Sequence, residues 1–304
     1  MQTPPSMERA VTRRVFMGAL GFLSAALGAH SAEKRPAYQV GCYTRPWDQH
    51  DYRVAFDGLA EAGYTQAGLM TTKSKSRLLV TAETTPDEVG GIKEEARRRG
   101  LRIISIYGGD FPVAVSVAAG CEGLKRLIDH CALCECGHLL LGGTGNAKLF
   151  DAYYQVVAEC CPYAAAKKVV LSVKPHGGLN ATGPQCRQII EKVKHGNFRL
   201  WYDPGNIFYY SDGKLDPVAD AATVDGLVCG MSIKDYLPPK QVEVTPGAGR
   251  VNFPAVLTRL RKGGFQSGPL VVECLTREEA ADAKRITVEA RKARLFLEQL
   301  LAAF

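Results

Sequence analysis

Seven short segments of the 304-residue chain collect most of its chemistry-bearing side chains, and each follows a run of apolar residues. They are Tyr43-Thr44-Arg45-Pro46-Trp47, Tyr107-Gly108-Gly109-Asp110, Leu141-Gly142-Gly143-Thr144-Gly145-Asn146, Lys174-Pro175-His176-Gly177-Gly178, Asp203-Pro204-Gly205-Asn206, Ser232-Ile233-Lys234-Asp235-Tyr236 and Glu273-Cys274. Lys174 and His176 are two residues apart, so on a strand they share a face. The Lys174 amine can act as a general acid or base or steady a negative oxygen, and the His176 imidazole can supply a nitrogen ligand to a metal ion. Asp203 and Glu273 add carboxylates, and Glu273 and Lys234 join Lys174 as candidate catalytic residues. Arg45 between Tyr43 and Trp47 suits a polar grip on a ring stacked against aromatics, with Asn206 and Asp235 as further substrate-binding candidates. Each has a plainer alternative. Asp203 ahead of Pro204 can cap a turn, Lys234-Asp235 can be an internal ion pair, and Tyr43 and Trp47 can be core aromatics. Glu273 ends an apolar strand, where burial without a partner is costly.

The elements that position these segments alternate with little interruption. Apolar runs at Tyr38–Tyr43, Thr65–Met70, Arg102–Tyr107, His138–Leu141, Val169–Val173, Phe198–Tyr202, Leu227–Ile233 and Pro269–Val272 read as buried parallel strands. Helical stretches are expected at Asp51–Ala62, Pro86–Arg99, Gly120–Cys134, Ala147–Lys167, Gly183–Lys194 and Phe253–Lys262, with Glu278–Leu300 as a long closing helix. Thr85-Pro86-Asp87-Glu88 has the cap, first-turn proline and first-turn acids of a helix start. Eight strand-helix units without a composition break predict a single-domain (β/α)8 TIM barrel over residues 33–304. An open doubly wound sheet would want a glycine-rich phosphate turn after the first strand, and Gly41-Cys42-Tyr43-Thr44-Arg45 is not one. In such a barrel the chemistry gathers where strands end, which is where the seven segments fall.

Composition agrees with a globular chain: 46% hydrophobic and 23% charged. The net charge of +7 is mild and dispersed, which suits a polar or anionic small molecule and argues against nucleic acid. Thr12-Arg13-Arg14-Val15-Phe16-Met17 precedes a Gly/Ala-rich apolar stretch from Gly18 to Leu27 and a run of small residues. The stretch is too short for a membrane span. Residues 1–32 therefore read as a twin-arginine-type export signal, which implies a periplasmic protein. That route carries folded chains, so the ten cysteines need not form disulfides. Cys131, Cys134, Cys160 and Cys161 fall on apolar helix positions and, with Cys136 just beyond, read as buried thiols.

Four segments together resemble the xylose-isomerase-like TIM-barrel superfamily, the sugar phosphate isomerase/epimerase group. They are Lys174-Pro175-His176, Tyr202-Asp203-Pro204-Gly205-Asn206, Ile233-Lys234-Asp235, and the closing run Pro246-Gly247-Ala248-Gly249-Arg250-Val251-Asn252-Phe253 through Gly263-Gly264-Phe265 to Leu270-Val271-Val272-Glu273. The resemblance implies one divalent metal held by carboxylates and a histidine on strands five to eight, with a proton or hydride moved between neighbouring sugar carbons. Asp203 and Glu273 match two of the ligands. Lys174 stands where the strand-five glutamate is expected and Ser232 where the strand-seven histidine is expected, and Asn206 holds a position that is often histidine.

Two arrangements fit those departures. In one, His176, Asp203 and Glu273 hold Mn²⁺, Mg²⁺ or Zn²⁺, and Lys174 is the acid or base. In the other no metal binds, and the Lys174 ammonium neutralises the carboxylates and steadies a developing enolate. The implied activity is an exported sugar isomerase or epimerase working through an enediolate on a small carbohydrate. A keto-sugar or keto-inositol dehydratase, or a non-catalytic sugar-binding barrel, are the alternatives. An abasic-site nuclease needs many histidines, and only six are present, with His30 in the leader.

Overall fold

The computed structural model describes residues 38–277 and 282–304. The expected leader lies outside the described residues. Eight parallel strands, β1 (Tyr38–Tyr43), β2 (Gln66–Leu69), β3 (Arg102–Tyr107), β4 (His138–Leu141), β5 (Val170–Val173), β6 (Phe198–Tyr202), β7 (Val228–Ile233) and β8 (Gly268–Val272), follow one another around a closed barrel. Pairing of β1 with β8, from Tyr38 opposite Gly268 to Cys42 opposite Val272, closes it. The expected strands agree with these to within a residue at either end, because a strand buried on both faces shows as an unbroken apolar run.

Around the barrel lie α1 (Tyr52–Glu61), α2 (Pro86–Arg98), α3 (Val117–Leu133), α4 (Phe150–Ala166), α5 (Gly183–Val193), α6 (Pro204–Tyr210), α7 (Pro217–Ala221), α8 (Phe253–Lys262) and α9 (Ala283–Ala302). The cap read from the sequence forms: the Thr85 hydroxyl accepts from the Glu88 N–H, and the Glu88 carboxylate accepts from the Thr85 N–H at 2.8 Å. α3 starts three residues earlier than expected, because Ser116 caps it by accepting from Ala119 N–H. α9 starts later than Glu278: Asp282 is its N-cap, and residues 278–281 lie outside the described residues. α6 and α7 were not anticipated. Both are too short to show a helical period, and each is started by an Asp-Pro pair whose aspartate caps it.

Two layers of core hold the assembly. The larger lies between strands and helices. The smaller fills the barrel with Tyr43, Met70, Ile104, Leu140, Trp201 and Val271. The two large rings need space that only glycine leaves: a Cβ on Gly68 would sit 2.3 Å from the Tyr43 ring, and one on Gly230 would sit 2.4 Å from Trp201. This packed interior forms the floor on which the strand-end residues stand. Among the described residues no helix is long and apolar enough to cross a membrane.

Candidate active site

Where β5, β6, β7 and β8 end, four charged side chains meet below the barrel mouth. Lys174 follows β5, Asp203 follows β6, Lys234 follows β7 and Glu273 follows β8, and all four are buried. The Lys174 ammonium donates to both Glu273 oxygens, at 2.9 and 2.7 Å, and to Asp203 Oδ2 at 3.2 Å. Lys234 Nζ lies 2.6 Å from Glu273 Oε1 and 3.3 Å from Asp203 Oδ2, and it donates to Asn206 Oδ1 at 3.0 Å. Arg45 adds a third cation, 3.2 Å from Glu273 Oε1, while its other end is held by Glu243 at 2.9 Å. The remaining acceptor positions are filled from the chain: Ser232 Oγ donates to Glu273 Oε2 at 2.7 Å, and the Asn206 N–H donates to Asp203 Oδ1 at 2.9 Å. Burial alone would raise the Glu273 pKa, but Lys174, Lys234 and Arg45 outweigh it and hold the carboxyl well below its ordinary range. Burial likewise works against the Lys234 ammonium, and Asp203 and Glu273 more than offset it, so its pKa is raised.

Above this cluster opens a cleft of about 290 Å³, lined by Arg45, Tyr107, Lys174, His176, Asn206, Tyr210, Lys234 and Glu273 among others. His176 stands in its wall between Tyr107 and Tyr210, with ring centroids 6.5 and 6.1 Å away. His176 is exposed to the cleft, yet partial desolvation by the cleft walls, then the nearby Lys174 and Lys234, push its pKa down to about 4, so the imidazole is neutral at neutral pH. Tyr107 faces the same space, with its phenol pushed up to about 12 by burial and then by Glu273.

A profile of the xylose isomerase-like TIM barrel family matches residues 56–299. The chain belongs to that family. Among solved structures, D-psicose 3-epimerase with D-tagatose from Clostridium cellulolyticum H10 superposes with a TM-score of 0.69 at 15% identity, over 86% of this chain and 99% of that one. A xylose isomerase domain protein from Planctomyces limnophilus gives 0.64 at 18% identity, over 87% and 98% of the two chains. At these identities the likeness is one of fold. A probable L-ribulose-5-phosphate 3-epimerase of Mycoplasma pneumoniae is 26% identical over 116 residues, 38% of this chain and 37% of its own length. The match thus spans little more than a third of that relative.

Within this xylose isomerase-like barrel the expected site residues sort into three groups. Arg45, Lys174, His176, Asn206, Lys234 and Glu273 line one cleft, and Asp203 lies directly beneath it, bonded to Lys174. Tyr43 and Trp47 do not serve substrate. Tyr43 is fully buried inside the barrel with its hydroxyl 2.8 Å from Ser105 Oγ. Trp47 is buried in the helix layer, close against the position of Gly58. Their spacing around Arg45 suggested a stacking platform, but the strand end directs them to two different cores. Asp235 is the third correction. Its buried carboxylate accepts from the backbone N–H groups of Tyr236, Gly247, Gly249 and Val251, so it ties down the loop after β7 instead of meeting a ligand.

Three further residues meet this site without a role assigned to them from the sequence: Tyr107 and Ser232, both in the strand-end segments, and Tyr210, which no strand-end segment contains. Tyr107 ends β3, and Tyr210 lies one helical turn beyond Asn206 on α6. Ser232 accepts from Trp201 Nε1 at 3.1 Å while donating to Glu273, linking the barrel filling to the site.

The divalent metal implied by the resemblance does not fit this donor set. Every oxygen of Asp203 and Glu273 already accepts from or faces a cation or donor of the chain. Among the described residues no three His, Cys, Asp or Glu side chains converge as metal ligands, so His176, Asp203 and Glu273 form no such set here. His176 lines the same cleft as the two ammonium groups, and it is those groups, not the imidazole, that contact the carboxylates.

Proposed function

We propose that this barrel is a sugar isomerase or epimerase that works on a small, uncharged keto-sugar by moving a proton next to the carbonyl. The observation that carries the reading is one cleft lined by both a neutral His176 and the Lys174–Lys234 pair. A proton on the carbon beside the carbonyl passes to the His176 imidazole, and the electron pair moves onto the carbonyl oxygen to give an enediolate. The ammonium pair below steadies that oxygen by giving up part of its hold on Glu273. Delivery of a proton from water to the same carbon on its other face gives an epimer; return of the His176 proton to the neighbouring carbon, with the hydroxyl proton passing to the former carbonyl oxygen, gives an isomer. A base with so low a pKa is weak, so the scheme depends on electrostatic stabilisation of the enediolate more than on proton affinity. The family membership and the fold likeness to sugar epimerases support the reading.

The test is solvent exchange. The protein is incubated with a panel of ketopentoses and ketohexoses in D₂O, and the carbons next to the carbonyl are followed by NMR. Deuterium entering one of those carbons, and losing at least a hundredfold in rate in His176→Asn, supports the proposal. Exchange accompanied by loss of a hydroxyl would identify a dehydratase instead. Saturable sugar binding without any exchange would leave a sugar-binding barrel, a reading favoured by how fully the two lysines are satisfied by the protein itself. Export by residues 1–32 belongs to the same proposal, and a periplasmic location fits a substrate without phosphate.

A further inference from the structure

We propose that Lys174 and Lys234 are a built-in substitute for a divalent cation: two ammonium groups that supply its charge at the barrel mouth and keep metal ions out. The inference rests on the functional reading above only for what the charge is used for. The charge arithmetic is direct, since two ammonium groups carry together what one divalent ion carries, facing the same two carboxylates. Each Nζ has three oxygens within 3.3 Å, matching the three donors of an ammonium. A metal would have to displace at least one buried ammonium and leave it without a partner, which is costly.

The surroundings are shaped for the lysines. Gly205 comes two residues after Asp203, and a Cβ there would lie 2.7 Å from both Lys234 Cγ and Lys234 O, so the start of α6 leaves the space that the lysine stem fills. Asn206 on the same turn accepts from Lys234 and donates to Pro175 O at 2.6 Å, joining the two lysine-bearing strand ends. Ser232 presents a hydroxyl that donates to Glu273, where a metal ligand would present a lone pair. The pair and its two carboxylates balance, and Arg45 is held by Glu243, which Arg277 also approaches at 3.5 Å, so most of the positive charge at the cleft is taken up by the protein's own carboxylates. The substrate class that follows is an uncharged polyhydroxy carbonyl compound.

The test reads manganese, not turnover. Chelator-treated full-length protein is titrated with Mn²⁺ and the free ion is followed by EPR, for the wild type, Lys174→Gln and the double variant Lys174→Glu/Ser232→His. The wild type should show no saturable site in the millimolar range. Lys174→Gln should tighten Mn²⁺ binding at least tenfold, and the double variant should bind one ion per chain with a Tm that rises with Mn²⁺. Adding Asp203→Asn should abolish both gains. A stoichiometric Mn²⁺ site in the wild type that Asp203→Asn removes would overturn the proposal. So would folded Lys174→Gln protein with no gain, which covers the case in which the double variant does not fold. Because no sugar enters these measurements, failure of the isomerase reading leaves their outcome untouched.

Discussion

Replacing Lys174 by methionine keeps the length of the side chain and removes its charge, and the structure sets the size of the effect. The ammonium makes three hydrogen bonds, to Glu273 at 2.9 and 2.7 Å and to Asp203 at 3.2 Å, with side-chain exposures of 3% or less at all three residues. Breaking one partner out of a buried ion pair costs about 3–5 kcal/mol, because the other charge is left uncompensated. Here the carboxylates are not left bare, since Lys234 remains 2.6 Å from Glu273 and Arg45 remains 3.2 Å away. The loss therefore belongs at the lower end, about 3 kcal/mol, or a fall in Tm of roughly 6–12 °C. Urea unfolding of wild type and Lys174→Met at pH 7 measures it as a shift in midpoint. The pH dependence gives a second reading. Glu273 is held well below its ordinary range, so it contributes stability that is present above the unfolded carboxyl pKa and is lost as pH falls below it. With Lys174 gone that contribution shrinks, so the two proteins should converge as pH drops from 5 towards 3. A variant within about 0.5 kcal/mol of the wild type at pH 7, a surface-pair value, would refute the idea that this ammonium compensates the buried carboxylates.

Burial lowers the pKa of His138 and of His176 to about 4, with Lys174 and Lys234 adding to the effect at His176, against roughly 6.5 for an unfolded chain. Between those values the unfolded chain binds protons that the folded chain does not, so stability falls as pH drops, by about 2 kcal/mol at pH 5 for the half-buried His138 and by less for His176, which is exposed to the cleft and screened by solvent. His176→Asn should flatten that slope in urea unfolding at a series of pH values, and an unchanged slope would show that His176 does not titrate as described. Asp235→Ala leaves four backbone N–H groups without their charged acceptor, and at about 1.5–3 kcal/mol for each charged hydrogen bond, less non-additivity, it should cost at least about 3 kcal/mol. Hydrogen exchange should then accelerate over residues 236–251, and protection equal to wild type would contradict the assignment. Fusing residues 1–32 to a reporter tests the leader: export that is lost when Arg13 and Arg14 are both changed to Lys supports a twin-arginine signal, and retention in the cytoplasm without any change rules it out.

Much of the architecture was legible because the barrel writes a simple code. A strand covered on both faces must be apolar throughout, and amphipathic helices of ten residues or more show their period. α6 and α7 escaped that code because five to seven residues cannot display a helical repeat. The site was legible as a set of strand-end positions, and Lys174, His176, Asp203, Asn206, Lys234, Glu273 and Arg45 do come together. Which of the strand-end residues turn inward was not legible. Tyr43 and Trp47 flank Arg45 within five residues, yet one fills the barrel and the other the helix layer, because the turn after β1 rotates each side chain to a different core.

The sequence by itself determined the eight-fold alternation, the rim where polar groups collect, and the two departures at Lys174 and Ser232, since all of these follow from residue type and short-range periodicity. Tertiary structure decided how those departures are used. Lys174, Asp203, Lys234 and Glu273 are separated by up to 99 positions along the chain, and only closure of the barrel brings each ammonium within 3.3 Å of both carboxylates. An ion pair depends on distance and desolvation, and neither can be read from a one-dimensional order of residues.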